Sequence, residues 1–471
     1  MAEQHRFPVK TDRKKGMLGL AMAAFFFLLF MLGYASWLRG SVFFVLFAAA
    51  GFFQFDFKEK RIIYAAYCIW TLLCIVFLAL FPYYEIYNER IWSVIREYTP
   101  ASTFVISSIL ILAAIFLFYS IFAKWRQSVS IVYTILSLLV IINGYVYRLR
   151  GKELLFSDIY ALSTALNVAD QYSLSMERHT LLAAAAGTLL LFTGWCLPAV
   201  TKPAGHRRKS LILSVILMLS FVLCTRNMEL IAWNSNGTLM YGYYTNLYIS
   251  IRDYFVEKPE SYSPEYIRSL EQEYIQECDS TADLPDILVI MNESFADMRI
   301  FNENLPTNQP VTPFLDSLQE NMISGYALTS VYGGGTANAE FEALSGFSMQ
   351  FFPDNATPYQ QYIHDKTFAL PWVLDSAGYT CLATHPYLAN GWSRPKVYPA
   401  FGFSESTFIE DYPQENIIRY YVSDQEMYEY MLQKMDTAGD APVFLFGITM
   451  QNHGGYETQS QIGRASCRER V

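Results

Sequence analysis

Four polar residues with useful chemistry each follow a short apolar run. Glu293 comes after DILVIM (286–291), and Thr336 comes after GYALTSV (325–331) and three glycines. His385 comes after YTCLAT (379–384), and His453 after VFLFGIT (443–449). Past Thr336, the apolar residues Ala337, Phe341 and Leu344 fall at i, i+4 and i+7, one face of a helix. A threonine hydroxyl is therefore expected at a strand-to-helix turn, where glycines let a ligand approach closely and free N–H groups favour an anion. A Gly-rich turn with Thr336 as an ordinary N-cap is the plainer reading of these residues taken alone.

Threonine is a weak nucleophile and needs a base, a lowered pKa or a metal. Glu293 could hold a divalent cation that also meets the Thr336 oxygen, favouring the alkoxide and neutralising a phosphoryl oxygen. His453, in a turn with two glycines, could contact phosphate or protonate a leaving group. In GWSR (391–394), Trp392 offers a stacking face and Arg394 a forked phosphate donor. Singly, each has an ordinary explanation: a solvated strand-end acid, a satisfied loop histidine, a core aromatic, a surface charge. Together they imply one crest beyond the carboxyl ends of parallel strands, where open α/β sheets bind ligands.

The elements that would position these groups occupy only the second half of the chain. Residues 1–228 carry 22 Lys+Arg against 11 Asp+Glu, a net of +11, whereas 229–461 carry 9 against 31, a net of −22. An acidic soluble half lacks the basic face that a nucleic-acid partner needs. Cys278 and Cys381 are the only cysteines of 229–461, without zinc-type spacing, so no disulfide framework is indicated.

Apolar runs near the ~20 residues needed to cross a bilayer recur at 17–38, 62–82, 101–123, 128–147, 181–200 and 209–225. A shorter run, 41–55, is counted as a seventh span because charge placement favours it. With a cytoplasmic N-terminus, fourteen of the 22 Lys+Arg then lie on the inner side, as membrane proteins arrange them. The same topology puts everything after 226 outside the cell. The expected organisation is a transmembrane domain (1–226), extracellular linker helices (227–283), and a catalytic domain (284–461). Residues 83–92 and 148–180 read as interfacial anchors. Short apolar runs alternating with helical stretches at 312–321, 337–345, 368–377 and 423–436 give the last domain an α/β class.

The motifs NESF (292–295), GGTANAEF (334–341), His385 followed by GWSR, and ITMQNH (448–453) resemble the lipoteichoic acid synthase family of the alkaline phosphatase/sulfatase superfamily. The resemblance implies a polytopic membrane domain followed by an extracellular sulfatase-like domain on a bacterial cell membrane. It implies Glu293 and Thr336 as ligands of a divalent cation, Mn2+ or Mg2+. It further implies that Thr336 is glycerophosphorylated by phosphatidylglycerol, releasing diacylglycerol. His453, Trp392, Arg394 and His385 would hold the glycerol phosphate, which passes to a glycolipid or polymer acceptor. A phosphoethanolamine transferase, or a non-catalytic binder of lipid head groups, are the alternatives.

Two departures from the family pattern stand out. The family has five spans rather than seven, and it completes its metal site with an Asp-His pair downstream of the His453 position. No Asp-His dipeptide occurs here. The last residues, 462–471 (IGRASCRERV), read as a translated sequencing adapter. The expectation is a truncated reading of a longer gene, with an incomplete metal site, an inactive chain and an exposed sheet edge.

Overall fold

The computed structural model describes residues 9–31, 37–55, 59–160, 177–198, 206–232, 234–254, 260–274, 284–295, 308–318, 320–331, 335–353 and 356–454. The chain divides into two compact units, 1–156 with 174–254, and 157–173 with 255–471.

The first unit is helical: α1 (Arg13–Leu29), α2 (Trp37–Phe52), α3 (Lys60–Tyr87), α4 (Ala101–Phe122), α5 (Trp125–Arg150), α6 (Arg178–Cys196) and α7 (His206–Thr225). Among the described residues, five helices are long and apolar enough to cross a membrane, and they lie in the last five expected spans. The first two expected spans fall on α1 and α2, of 17 and 16 residues. In the interior of this unit Tyr67, Trp70, Ile75 and Leu78 of α3 pack with Ile111 and Ile115 of α4 and Val132 and Tyr133 of α5. Apolar residues on the remaining faces are exposed, as a lipid-facing surface requires.

The tyrosine-rich stretch after α7 differs from its expected role as a linker. Residues up to Tyr254 belong to the helical unit, and α8 (Tyr243–Arg252) buries Tyr243, Tyr244 and Asn246. The Tyr83 hydroxyl donates to Thr238 O at 2.6 Å, and the Thr103 hydroxyl donates to Met240 O at 2.8 Å. Tyr83 is thus buried within the unit rather than serving as an interfacial anchor. Composition misleads here because tyrosine rings can fill a core while their hydroxyls reach carbonyls. Of 148–180, residues 161–176 lie outside the described residues.

The second unit holds a four-stranded sheet of β1 (Ile287–Met291), β2 (Thr380–Thr384), β3 (Glu405–Thr407) and β4 (Val443–Ile448), ordered β1-β4-β2-β3. Every pairing is parallel. β4 is central and buried along its length, which explains its unbroken apolar sequence. Its side chains alternate between two cores. Phe444, Phe446 and Ile448 join α9 (Thr336–Ser345) and α10 (Arg394–Phe401), whereas Val443 and Leu445 join Met427 and Met431 of α11 (Asp424–Thr437). Burying each of these side chains stabilises the domain by roughly 1.5–3 kcal/mol.

Three of the four expected strands form. The fourth, 325–331, is irregular and enters no ladder among the described residues. The helix expected over 312–321 is a single turn, Pro313–Ser317. Residues 455–471, including the adapter-like stretch, lie outside the described residues.

Candidate active site

The carboxyl ends of β1 and β4 lie side by side, because Met291 pairs with Ile448. Beyond them the chain cross-braces itself. Thr449 N donates to Met291 O at 3.1 Å, and Glu293 N donates to the Thr449 hydroxyl at 2.8 Å. These bonds set Glu293 beside the turn carrying His453. Arg419 holds that turn from outside, donating through Nη2 to the carbonyls of Gln451 and His453.

The third component comes from α9. Gly335 is its N-cap and Thr336 its first residue, so Thr336 does not fill the cap position of the plainer reading. Its hydroxyl donates to Glu293 Oε2 at 2.9 Å, while His453 Nδ1 lies 3.2 Å from Oε1. One half-buried carboxylate therefore links a hydroxyl to an imidazole. Burial alone would raise the Glu293 pKa. The His453 bond and charge, the Thr336 hydroxyl and the Arg394 charge outweigh it and hold the carboxyl below its usual range. Glu293 is consequently an anion at neutral pH.

His385, at the end of β2, is buried with Nδ1 3.0 Å from Ile448 O. A carbonyl can only accept, so Nδ1 carries the proton and Nε2 keeps its lone pair. Burial first, then the Arg394 charge, push its pKa well below the usual value, leaving a neutral imidazole. Trp392 is partly buried and packs against the core that contains α9 and α10.

Arg394 differs from the exposed phosphate fork expected of it. It is 2% exposed, and it donates from Nε at 3.2 Å and Nη2 at 2.5 Å to Glu340, itself 0% exposed. The Tyr398 hydroxyl donates to the same carboxylate at 3.0 Å. Arg394 still influences the site electrostatically, since its charge acts on both Glu293 and His385. Sequence reasoning missed Glu340, Tyr398, Thr449 and Arg419. Glu340 alone left a usable signal, lying one helical turn past Thr336 on a helix otherwise read for its apolar face.

The Glu293 and Thr336 oxygens suit a hard cation in kind but not in number. Among the described residues no group of three His, Cys, Asp or Glu could hold a metal. The expected Mn2+ or Mg2+ site thus has two of its donors here, too few to fix an ion.

Residues 285–469 match the family model described as Sulfatase. A "Putative cyclic beta-1,2-glucan modification protein" of Rhizobium meliloti (strain 1021) is 37% identical over 173 residues, 37% of this chain and 26% of that protein. An uncharacterized protein of Haemophilus influenzae is 26% identical over 185 residues, 37% of this chain and 33% of the relative. The chain thus spans about a quarter to a third of these relatives. Similar solved structures include the lipoteichoic acid synthase LtaP of Listeria monocytogenes (24% identity, TM-score 0.31, 36% of this chain and 41% of that one). Another is the phosphoglycerol transferase GacH of Streptococcus pyogenes in complex with sn-glycerol-1-phosphate (23%, TM-score 0.36, 45% and 62%).

Proposed function

We propose that the complete protein is a membrane-anchored phosphoglycerol transferase, with Thr336 as its nucleophile and phosphatidylglycerol as its donor. The hydrogen bond from Thr336 to the ionised Glu293, at the first residue of a helix, carries this reading. The hydroxyl is aimed, its proton has a destination, and the free N–H groups of the helix terminus suit a phosphoryl group.

As the Thr336 oxygen bonds to phosphorus, its proton passes to Glu293 Oε2 and the bond from phosphorus to the diacylglycerol oxygen breaks. A protonated His453, held through Nδ1, supplies the departing oxygen with the proton on Nε2. An acceptor hydroxyl then attacks the phosphothreonine ester, and the same proton path runs in reverse. His385, through the lone pair on Nε2, accepts from a glycerol hydroxyl, and Trp392 offers the glycerol an apolar wall. A divalent cation, bound with donors beyond the described residues, would lower the hydroxyl pKa and neutralise phosphoryl charge. The catalytic domain faces the cell exterior in the topology favoured by the Lys+Arg distribution.

For the acceptor, the name of the Rhizobium relative supports a glucan hydroxyl beside the glycolipid or polymer expected from sequence. The test incubates the full chain in phosphatidylglycerol vesicles with each acceptor and follows diacylglycerol release. Release that depends on Thr336 supports the reading. Release from phosphatidylethanolamine vesicles instead would favour the phosphoethanolamine alternative, and no release from either would leave a head-group binder.

A further inference from the structure

The segment 391–394 has a conformation its sequence does not favour. Trp392 and Ser393 are consecutive non-glycine residues with φ of 56° and 59°, in the left-handed region. Such residues persist only where the surroundings over-determine them. The next residue, Arg394, supplies the constraint by entering the buried Glu340 carboxylate through two nitrogens, and Tyr398 on the following turn enters it too. Although burial would lower the Arg394 pKa, the Glu340 charge more than offsets it and raises the pKa. The Arg394 guanidinium therefore stays charged.

We infer that Glu340 is a positioning residue for the transferase site. It lies on α9 four residues after Thr336 and ties the Trp392 loop and Arg394 to the helix that carries the nucleophile. Bonds from Nε and Nη2 to one carboxylate fix the plane and position of the buried Arg394 guanidinium, so Glu340 sets where that charge lies. Held this way, the guanidinium keeps a fixed place from which its charge acts on Glu293 and His385. Glu340 thus acts through Arg394 and Trp392 without touching substrate, and this role rests on the proposed phosphoglycerol transfer.

The test compares the full chain with its Glu340→Gln, Glu340→Asp, Arg394→Gln and Glu340→Gln/Arg394→Gln variants in phosphatidylglycerol vesicles. Glu340→Gln is expected to lower kcat by about tenfold or more with KM changed less than about threefold, and the double variant is expected to be no slower than Arg394→Gln. Glu340→Asp, which keeps the charge, should recover part of kcat. Wild-type kcat in a folded Glu340→Gln protein, or losses that multiply in the double variant, would overturn the inference. Should Glu340→Gln not fold, Glu340→Asp decides alone: a kcat reduced with KM retained supports positioning, and an unchanged kcat refutes it.

Amide hydrogen exchange separates this inference from the function it rests on. Glu340→Gln should speed exchange at 392–394 while leaving β4 protected, and unchanged exchange there refutes positioning. Absence of diacylglycerol release by the wild type, with the exchange result as expected, would instead refute the transferase reading.

Discussion

Glu293→Gln tests the most specific feature of the site. The carboxylate accepts from Thr336 at 2.9 Å and faces His453 Nδ1 at 3.2 Å, using one oxygen for each. Glutamine keeps the shape but has only one oxygen; with that oxygen on His453, its amide nitrogen faces Thr336, where it can donate to the hydroxyl but cannot take its proton. Hydrogen bonds to a charged group contribute about 1.5–3 kcal/mol each. Losing one that is needed at the moment of proton transfer should slow the step by roughly 10- to 150-fold, at about 1.4 kcal/mol per factor of ten. Substrate contacts are untouched, so KM should stay within about threefold. The assay is single-turnover release of diacylglycerol from phosphatidylglycerol, with a folding control by circular dichroism. A folded Glu293→Gln protein with wild-type kcat would refute the argument that this carboxylate directs Thr336.

Thr336→Ala should abolish diacylglycerol release, while Thr336→Ser, which keeps the hydroxyl, should retain measurable release in the same assay. The Glu293 pKa is depressed on folding, so its contribution to stability is present above its unfolded pKa and is lost as pH falls through the lower folded value. Denaturant titrations should therefore show no loss attributable to Glu293 between about pH 5 and 7, with the wild type losing its advantage over Glu293→Gln only at lower pH. Gly402 has φ of +102°, and a Cβ there would lie 3.0 Å from Trp372 N and 2.7 Å from its ring. Gly402→Ala should destabilise the second unit by about 1–3 kcal/mol in chemical denaturation, through overpacking added to backbone strain.

Much of the site was legible because its chemistry lies at the ends of elements the sequence announces. β4 is buried on both faces and reads as an unbroken apolar run, so the position of His453 after it could be anticipated. Thr336 was found through the glycines before it and the apolar face after it. The run 325–331 has similar composition yet forms no strand, because a strand exists through its ladder partners and composition does not supply them. Arg394 illustrates a second limit. Its type suggested a phosphate donor, but its environment depends on Glu340, 54 residues away in sequence and in direct contact in space. The tyrosine-rich stretch after α7 shows the same limit from the other side, since its polar composition hid the rings of Tyr243 and Tyr244, which are buried within the helical unit.

The most direct test of the account is mass spectrometry of the full chain after incubation with phosphatidylglycerol vesicles in the absence of acceptor. The account predicts a glycerophosphoryl adduct on Thr336 that disappears when acceptor is added and is absent from Thr336→Ala. An unmodified Thr336 in a preparation that releases diacylglycerol, or an adduct on another residue, would contradict it.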